Sequence, residues 1–240
     1  DHPAVYRLIS SGDTLGVFQV ESTGFQELCR KLKPDCFEDI VAAVALYRPG
    51  PMQSGMVDDF IDRKHGRQKV EYPHPSLKEV LAPTYGTFVY QEQIMQSAQV
   101  LAGYTLGGAD ILRRAMGKKK FEEMQRQRII FVKGATEAGV DEGQAGEIFD
   151  TIKKFAGYGF NKSHAAAYAM IAYQTAYLKA NYPVQFMAAL MALDTGNLEK
   201  LAIFKQDCVR EKIDVLPPDI NISQAGFSVE KKENGELAVR

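Results

Sequence analysis

Apolar residues along most of this chain recur three and four positions apart, the signature of helices that each bury one face. Phe25, Leu28 and Leu32 repeat in that way from Ser22 until Pro34 stops them. Asp35 then starts a second helix with Glu38 three residues on as a capping box, and Ile40, Val41, Val44 and Ala45 form its buried side. Met56, Phe60 and Ile61 face inward on a third. A helix from about Gln91 turns Ile94, Met95, Ala98 and Leu101 inward, leaves Gln91, Gln93 and Gln96 as uncharged polar groups, and ends at Gly103. Leu112 and Met116 are the core pair of the next, which Gly117 breaks before a long helix begins at Phe121. Asp141 caps another through Ile148, Phe149, Ile152 and Phe155, Pro183 opens Val184–Leu193, and Leu198–Glu211 is amphipathic.

Other stretches break the helical period. Residues 13–20, DTLGVFQV, are short and rich in apolar and β-branched types, which predicts a strand leading into a turn at Glu21-Ser22. Pro73, Pro75, Pro83 and Gly86 punctuate a connector with one short helix around Leu77–Leu81. After His164 no charge appears until Lys179, and Ala, Tyr, Met and Ile recur all round, which predicts a central helix buried on every side. Gln174 and the tyrosines interrupt that run, so it is no membrane span. Phe227–Lys232, Asn234-Gly235 and Leu237–Val239 read as a β-hairpin whose second strand is cut at Arg240. The expected class is therefore mainly α: many helices over 25–213, a short strand and connection over 1–24, and an extended segment with a truncated β-hairpin over 214–240.

With 29 basic and 30 acidic residues the formal charge is −1, so any binding to nucleic acid needs a local basic face. Cys29, Cys36 and Cys208 form no CxxC pair and no metal-ligand spacing with the four histidines, which fits a reducing, cytoplasmic setting without zinc. The chain opens on Asp-His-Pro without an initiator Met or a leader, as an excised piece of something larger would.

The stretch FAGYGFNKSHAAAY, 155–168, joins a glycine turn to polar groups at a helix start. Gly157 and Gly159 permit left-handed or close-approach backbone, and Asn161 or Ser163 can cap the helix. Its first amides lack intrahelical partners, and with Lys162, Ser163 and His164 beside them they form a candidate anion site, for which phosphate is the natural guest. Tyr158, Phe160 and Tyr168 are core or site. Arg113, Arg114, Lys118, Lys119 and Lys120 put five cations into eight residues, followed by Arg126, Arg128 and Lys133. Such a run is a solvated face or a set of phosphate contacts. Arg48 is held by a Tyr-Arg-Pro-Gly-Pro turn, while Arg63 and Lys64 lie where cations suit a helix C-terminus without any ligand. No Asp-x-Asp, phosphate-binding GxxxxGK[ST] loop or nucleophile elbow is present, so neither a catalytic residue nor a metal ligand is expected here.

Taken together, GVFQVES at 16–22, ALYRPGPMQSGM at 45–56, FIDRKHGR at 60–67, PTYGTFVYQEQIM at 83–95, LAGYTLGGADILRRAMGKKK at 101–120 and FAGYGFNKSHAAAYA at 155–169 resemble the C-family of bacterial replicative DNA polymerases, in its proteobacterial form. The resemblance covers nearly the whole chain and implies the helical fingers region. It implies that Arg113, Arg114, Lys118 and Lys119 face phosphate, and that Tyr158, Asn161, Lys162, Ser163 and His164 lie near an incoming dNTP. Arg48, Arg63, Lys64, Lys120 and Arg126 would approach primer–template DNA. In that family Mg2+ is held by aspartates of the palm, none of which matches here, so an isolated fingers chain is expected to be inactive. Further partners would be the other holoenzyme subunits, through regions outside this fragment, and no membrane. The alternative is a helical module that docks an acidic protein through the basic face of 113–133.

Overall fold

The computed structural model describes residues 1–117 and 121–240. They divide into two compact units, one made of 1–36 and 170–240 and the other of 37–169. The first begins with α1, Pro3–Ser11, a helix where only a strand and connection are expected, although Val5, Tyr6 and Ile9 stand at helical spacing and are buried. Its punctuation is nonetheless in the sequence: Pro3 stands where a missing N–H costs nothing, and Gly12 (φ 74) returns its amide to the Ile9 carbonyl. The following α2, Thr23–Leu32, starts on the Ser22 hydroxyl, buries Phe25, Leu28, Cys29 and Leu32, and packs against α1.

Between them the expected strand over 13–20 does not form. Gly16 (φ 76) and Gln19 (φ 67) are left-handed, a conformation no strand accepts. The backbone closes on itself instead: the Val17 amide donates to the Thr14 carbonyl at 3.0 Å, and the Thr14 hydroxyl to the Val20 carbonyl at 2.6 Å. The apolar alternation is real, since Val17 and Val20 are fully buried, but it belongs to consecutive turns. A Cβ on Gly16 would collide with Leu190, so this turn depends on glycine twice over.

The second unit runs through α3 (Phe37–Leu46), α4 (Pro49–Gln53), α5 (Met56–Lys64), α6 (Lys78–Leu81), α7 (Gln91–Ala102), α8 (Leu106–Gly117), α9 (Phe121–Glu137) and α10 (Glu142–Ala156). The last of these starts on the Asp141 carboxylate, which accepts from the Gln144 amide at 3.0 Å. Then comes α11, Lys162–Asn181, within which the division between units falls. Helix α7 packs on α8 and α9, and α9 on α10. Phe88, Ile94, Leu101, Leu112, Met116, Phe131, Phe149 and Ile152 fill the space among them. Each such side chain contributes roughly 1.5–3 kcal/mol on burial.

Helix α11 corrects a second expectation. It is buried along one stripe only, Ala165, Ala169, Ala172, Ala176 and Lys179, whereas Met170, Ile171 and Leu178 are nearly half exposed. Hydropathy alone cannot separate the two faces, because alanine reads as apolar in either position. What selects the buried face is size: alanine at four-, three- and four-residue intervals lets a neighbour approach the backbone.

The first unit resumes with α12 (Pro183–Leu193), α13 (Leu198–Arg210) and the antiparallel pair β1 (Val229–Lys231) and β2 (Leu237–Val239), turned at Gly235 with φ 87. Its core gathers Met187, Met191, Phe204, Cys208, Ile213 and Val239. The molecule is mainly α, as expected. No helix among the described residues is long and apolar enough to cross a membrane.

Candidate functional site

The candidate site lies in the second unit, where two segments far apart in sequence are zipped together. The Phe160 amide donates to the Val89 carbonyl at 3.0 Å and the Gln91 amide to the Phe160 carbonyl at 2.9 Å, a parallel bridge that seats 158–162 on the start of α7. Gly159 makes this approach possible: its φ is not left-handed, but a Cβ there would press on Gln91 and Ile94 at 3.3 Å. Close approach, and not turn geometry, is what the glycine supplies.

Beneath the bridge Gln93 is buried and uses both ends of its amide. Its Oε1 accepts from the Val89 and Tyr90 amides at 2.9 and 3.0 Å, and its Nε2 donates to the Thr84 hydroxyl at 2.7 Å and the Val80 carbonyl at 3.2 Å. One side chain thus fixes the loop that fixes the start of α11. The sequence offers it only as an uncharged polar residue.

Asn161 caps α11, its Oδ1 accepting from the His164 amide at 2.8 Å. The helix start already holds an anion from the protein itself. Glu92, in the first turn of α7, accepts from Asn161 Nδ2 at 2.8 Å through one oxygen and from the Lys162 amide at 3.0 Å through the other. The Lys162 ammonium stands 5.4 Å from the centre of the Tyr90 ring, within cation–π range. The His164 ring lies between Phe160 and Tyr168, centroids 5.4 and 4.4 Å away. Asn161, Lys162, Ser163 and His164 are all exposed.

Arg113 reaches the same first turn of α7 from α8, donating through Nη1 to Gln91 Oε1 at 3.2 Å. Its Nε and Nη2 both bind Asp110 Oδ1, at 2.9 and 2.7 Å, and Arg114 Nε takes Asp110 Oδ2 at 2.7 Å. The hydrogen bond from Arg113, aided by the charge of both arginines, holds the Asp110 carboxyl below its usual range. Arg48 enters from the turn before α4: its guanidinium lies 4.5 Å from the Phe160 ring centre and donates to the Tyr158 carbonyl, while its Nε donates to the Ala45 carbonyl at 2.8 Å. Burial pulls its pKa down from the ordinary arginine value. The Tyr158 ring covers Gly50, where a Cβ would strike it.

Among the described residues, then, Arg48, Arg113, Tyr158, Asn161, Lys162 and His164 gather around Tyr90–Glu92, with Arg114 beside them on α8. Lys118, Lys119 and Lys120 lie outside the described residues. The other basic candidates are held by other partners in the unit. Lys64 is buried against Asp39 at 2.8 Å, Arg63 reaches the Tyr85 carbonyl at 3.4 Å, and Arg126 is exposed at 3.8 Å from Glu123. Sequence reasoning missed Glu92 and Asp110. Asp110 was findable, standing three and four residues before the two arginines; Glu92 was not, because its partners are some seventy residues away.

The chain is similar in sequence to known proteins over nearly its whole length. Residues 1–139 match the family described as the bacterial DNA polymerase III alpha subunit finger domain. The DNA polymerase III subunit alpha of Haemophilus influenzae is 57% identical over 242 residues, covering 99% of this chain and 21% of that protein. The proteins of the same name from Escherichia coli K12 and Pseudomonas aeruginosa are each 55% identical, covering 99% and 96% of the chain and 21% and 20% of their own lengths. The chain belongs to the bacterial DNA polymerase III alpha subunit finger domain family. It spans about a fifth of the length of the curated relatives it matches.

Proposed function

We propose that this chain serves as the fingers of a replicative DNA polymerase, presenting cations and helix-start amides to the triphosphate of an incoming dNTP and to the phosphates of primer–template DNA. The observation that carries the reading is the convergence on α7: Arg113 bonds to Gln91 and the α11 start bonds to Glu92, so two anion-binding elements meet on consecutive residues. Arginine supplies a planar fork and the helix start supplies aligned N–H donors, and both are aimed from rigid elements. Lys162 and Arg114 add exposed charge beside them.

Mg2+ does not belong to this set. It prefers carboxylate oxygens, and those of Glu92 and Asp110 are taken by N–H donors from Asn161, Lys162, Arg113 and Arg114. The contribution of these residues is to orient the phosphates and to stabilise negative charge as it develops on them. Other holoenzyme subunits would bind through surfaces away from this site.

The test is nucleotide-dependent primer extension by a full-length alpha subunit carrying Lys162→Ala or Arg113→Ala. Each is expected to lower kcat/KM by roughly a hundred- to a thousandfold, the range seen when one preorganised donor is lost. Unchanged constants for both variants would refute the proposal.

A further inference from the structure

A cavity of about 360 Å3 opens in the second unit between α5, the segments around Tyr72 and Thr87, and α10. Among the described residues, none of those gathered around Tyr90–Glu92 lines it. Its walls are tied to one another. A Cβ on Gly86 would strike the Glu71 carbonyl, so those two segments touch, and Gln144 Nε2 donates to the Pro73 carbonyl at 3.4 Å, which fastens α10 to them. Met56, Phe88, Ile148 and Phe155 supply apolar surface, and Asp59, Glu71 and Glu147 bring three exposed carboxylates.

Two polar groups in this wall have no partner in the protein. Thr87 is only 6% exposed, and its hydroxyl neither donates nor accepts. The Nε of Arg63 is likewise buried and unbonded, although Nη1 of the same guanidinium reaches the Tyr85 carbonyl at 3.4 Å. Both belong to one corner, since a Cβ on Gly86, the neighbour of Thr87, would lie 3.4 Å from Arg63 Nη1. Buried donors without acceptors are uncommon because they lose water and gain nothing for it. A few convergent polar groups in an otherwise apolar concavity are what a ligand site requires.

We propose that this cavity is a docking site for a lysine or arginine residue of a partner polypeptide. Its wall asks for three things at once: an acceptor oxygen for Arg63 Nε and the Thr87 hydroxyl, an aliphatic stem for Met56, Ile148 and Phe155, and a cation for the carboxylates. A basic residue in peptide linkage carries all three, as its backbone carbonyl, its methylenes and its charged tip. A free amino acid fits less well, because its own carboxylate would stand among Asp59, Glu71 and Glu147. The same three carboxylates repel nucleotides and nucleic acid, so the proposal does not rest on the phosphate reading above.

The test is methyl NMR of a full-length alpha subunit labelled at its methionine methyls, following Met56 while N-acetyl-L-lysine N-methylamide is titrated. Met56 is expected to shift saturably. N-acetyl-L-norleucine N-methylamide, which lacks the charge, should bind roughly fivefold or more weakly. Thr87→Val should weaken the lysine probe roughly three- to tenfold, the scale of one hydrogen bond, and Glu147→Gln about two- to fivefold. The Thr87 side-chain hydroxyl holds nothing in the fold, so Thr87→Val should keep the melting temperature and its loss reads as binding alone. No shift of Met56 in the folded subunit would overturn the proposal, leaving the cavity to water or to a covering part of the same subunit. Equal affinity for the norleucine probe would overturn it too, by making the cavity merely apolar. Unchanged binding in Thr87→Val would do the same, because the unpartnered groups would then play no part.

Discussion

Two kinds of cation–carboxylate pair occur in this molecule at almost the same distance, and they do opposite work. Lys64 and Asp39 meet at 2.8 Å inside the second unit with both side chains at least 95% buried. Lys179 and Asp207 meet at 3.0 Å inside the first, equally enclosed, with Lys179 also donating to the Leu15 carbonyl at 2.9 Å. Arg113, Arg114 and Asp110 meet at 2.7 Å in partial exposure. Distance does not distinguish them, and water does. Breaking a buried pair leaves a charge away from water, whereas an exposed pair can be exchanged for solvent or for a ligand. Lys64, which the family resemblance implies as a DNA contact, has its ammonium 2.8 Å from Asp39 in the fold.

The largest effect should come from the buried pairs. Asp207→Ala leaves Lys179 charged and enclosed and should cost about 3–5 kcal/mol of stability by denaturant titration, and Asp39→Ala should cost a similar amount through Lys64. Converting both partners at once, as Lys179→Met with Asp207→Leu, should recover most of that loss, because the penalty lies in the stranded charge. A double variant as unstable as Asp207→Ala would break the comparison.

Gln93→Ala comes next. It leaves the buried amides of Val89 and Tyr90 without an acceptor and should destabilise by about 2–3 kcal/mol. The effect should also reach the site, since those residues carry the bridge to Phe160: amide hydrogen exchange at Phe160 and Gln91 should rise together.

A third effect appears only in alkali. Burial pushes the Cys29 thiol up to about 12 from the ordinary 9.0. A raised thiol pKa leaves stability intact below the unfolded value and erodes it as pH climbs towards the folded one, because only the unfolded chain then releases the proton. Between pH 9 and about 12, stability should fall by roughly 1.4 kcal/mol per pH unit on account of Cys29, and Cys29→Ser should flatten that slope. At neutral pH neither Cys29 nor Cys208, itself raised to about 11, should react with a maleimide until the unit opens.

The same contrast explains what could be read from the sequence. Local chemistry was legible: the inward Leu112 and Met116 of α8, the Asp141 and Asn161 caps, the turn at Gly235 and the mainly α class all follow from residues within a few positions of one another. Most of the residues that gather at the site could be named as well, since a glycine-bounded helix start and an arginine pair carry their own signals. What failed depended on partners far along the chain. The 13–20 alternation became turns because Gly16 and Gln19 are left-handed and Leu190 fills the space beside Gly16. The exposed face of α11 was hidden because alanine has the same hydropathy at a crossing as in the open. Glu92 was invisible as a cap because α11 begins seventy residues later.

The smallest expected effect is on the exposed side of the comparison, and it is the most informative. Asp110→Asn removes a carboxylate that three donors from two arginines share, yet those arginines can turn to water, so stability should change little. Lowering the pH tests the same contact without mutation. Asp110 is held below its ordinary value of 3.8, so its contribution is complete above that pH and disappears as pH falls through the depressed folded value. The melting temperature of the wild type should therefore lose the contribution of this group only in strong acid, and Asp110→Asn should fall less steeply there. A large loss of stability in Asp110→Asn at neutral pH would mean that the pair holds the fold as Lys64 and Asp39 do. Arg113 and Arg114 would then have no charge to spare for a phosphate.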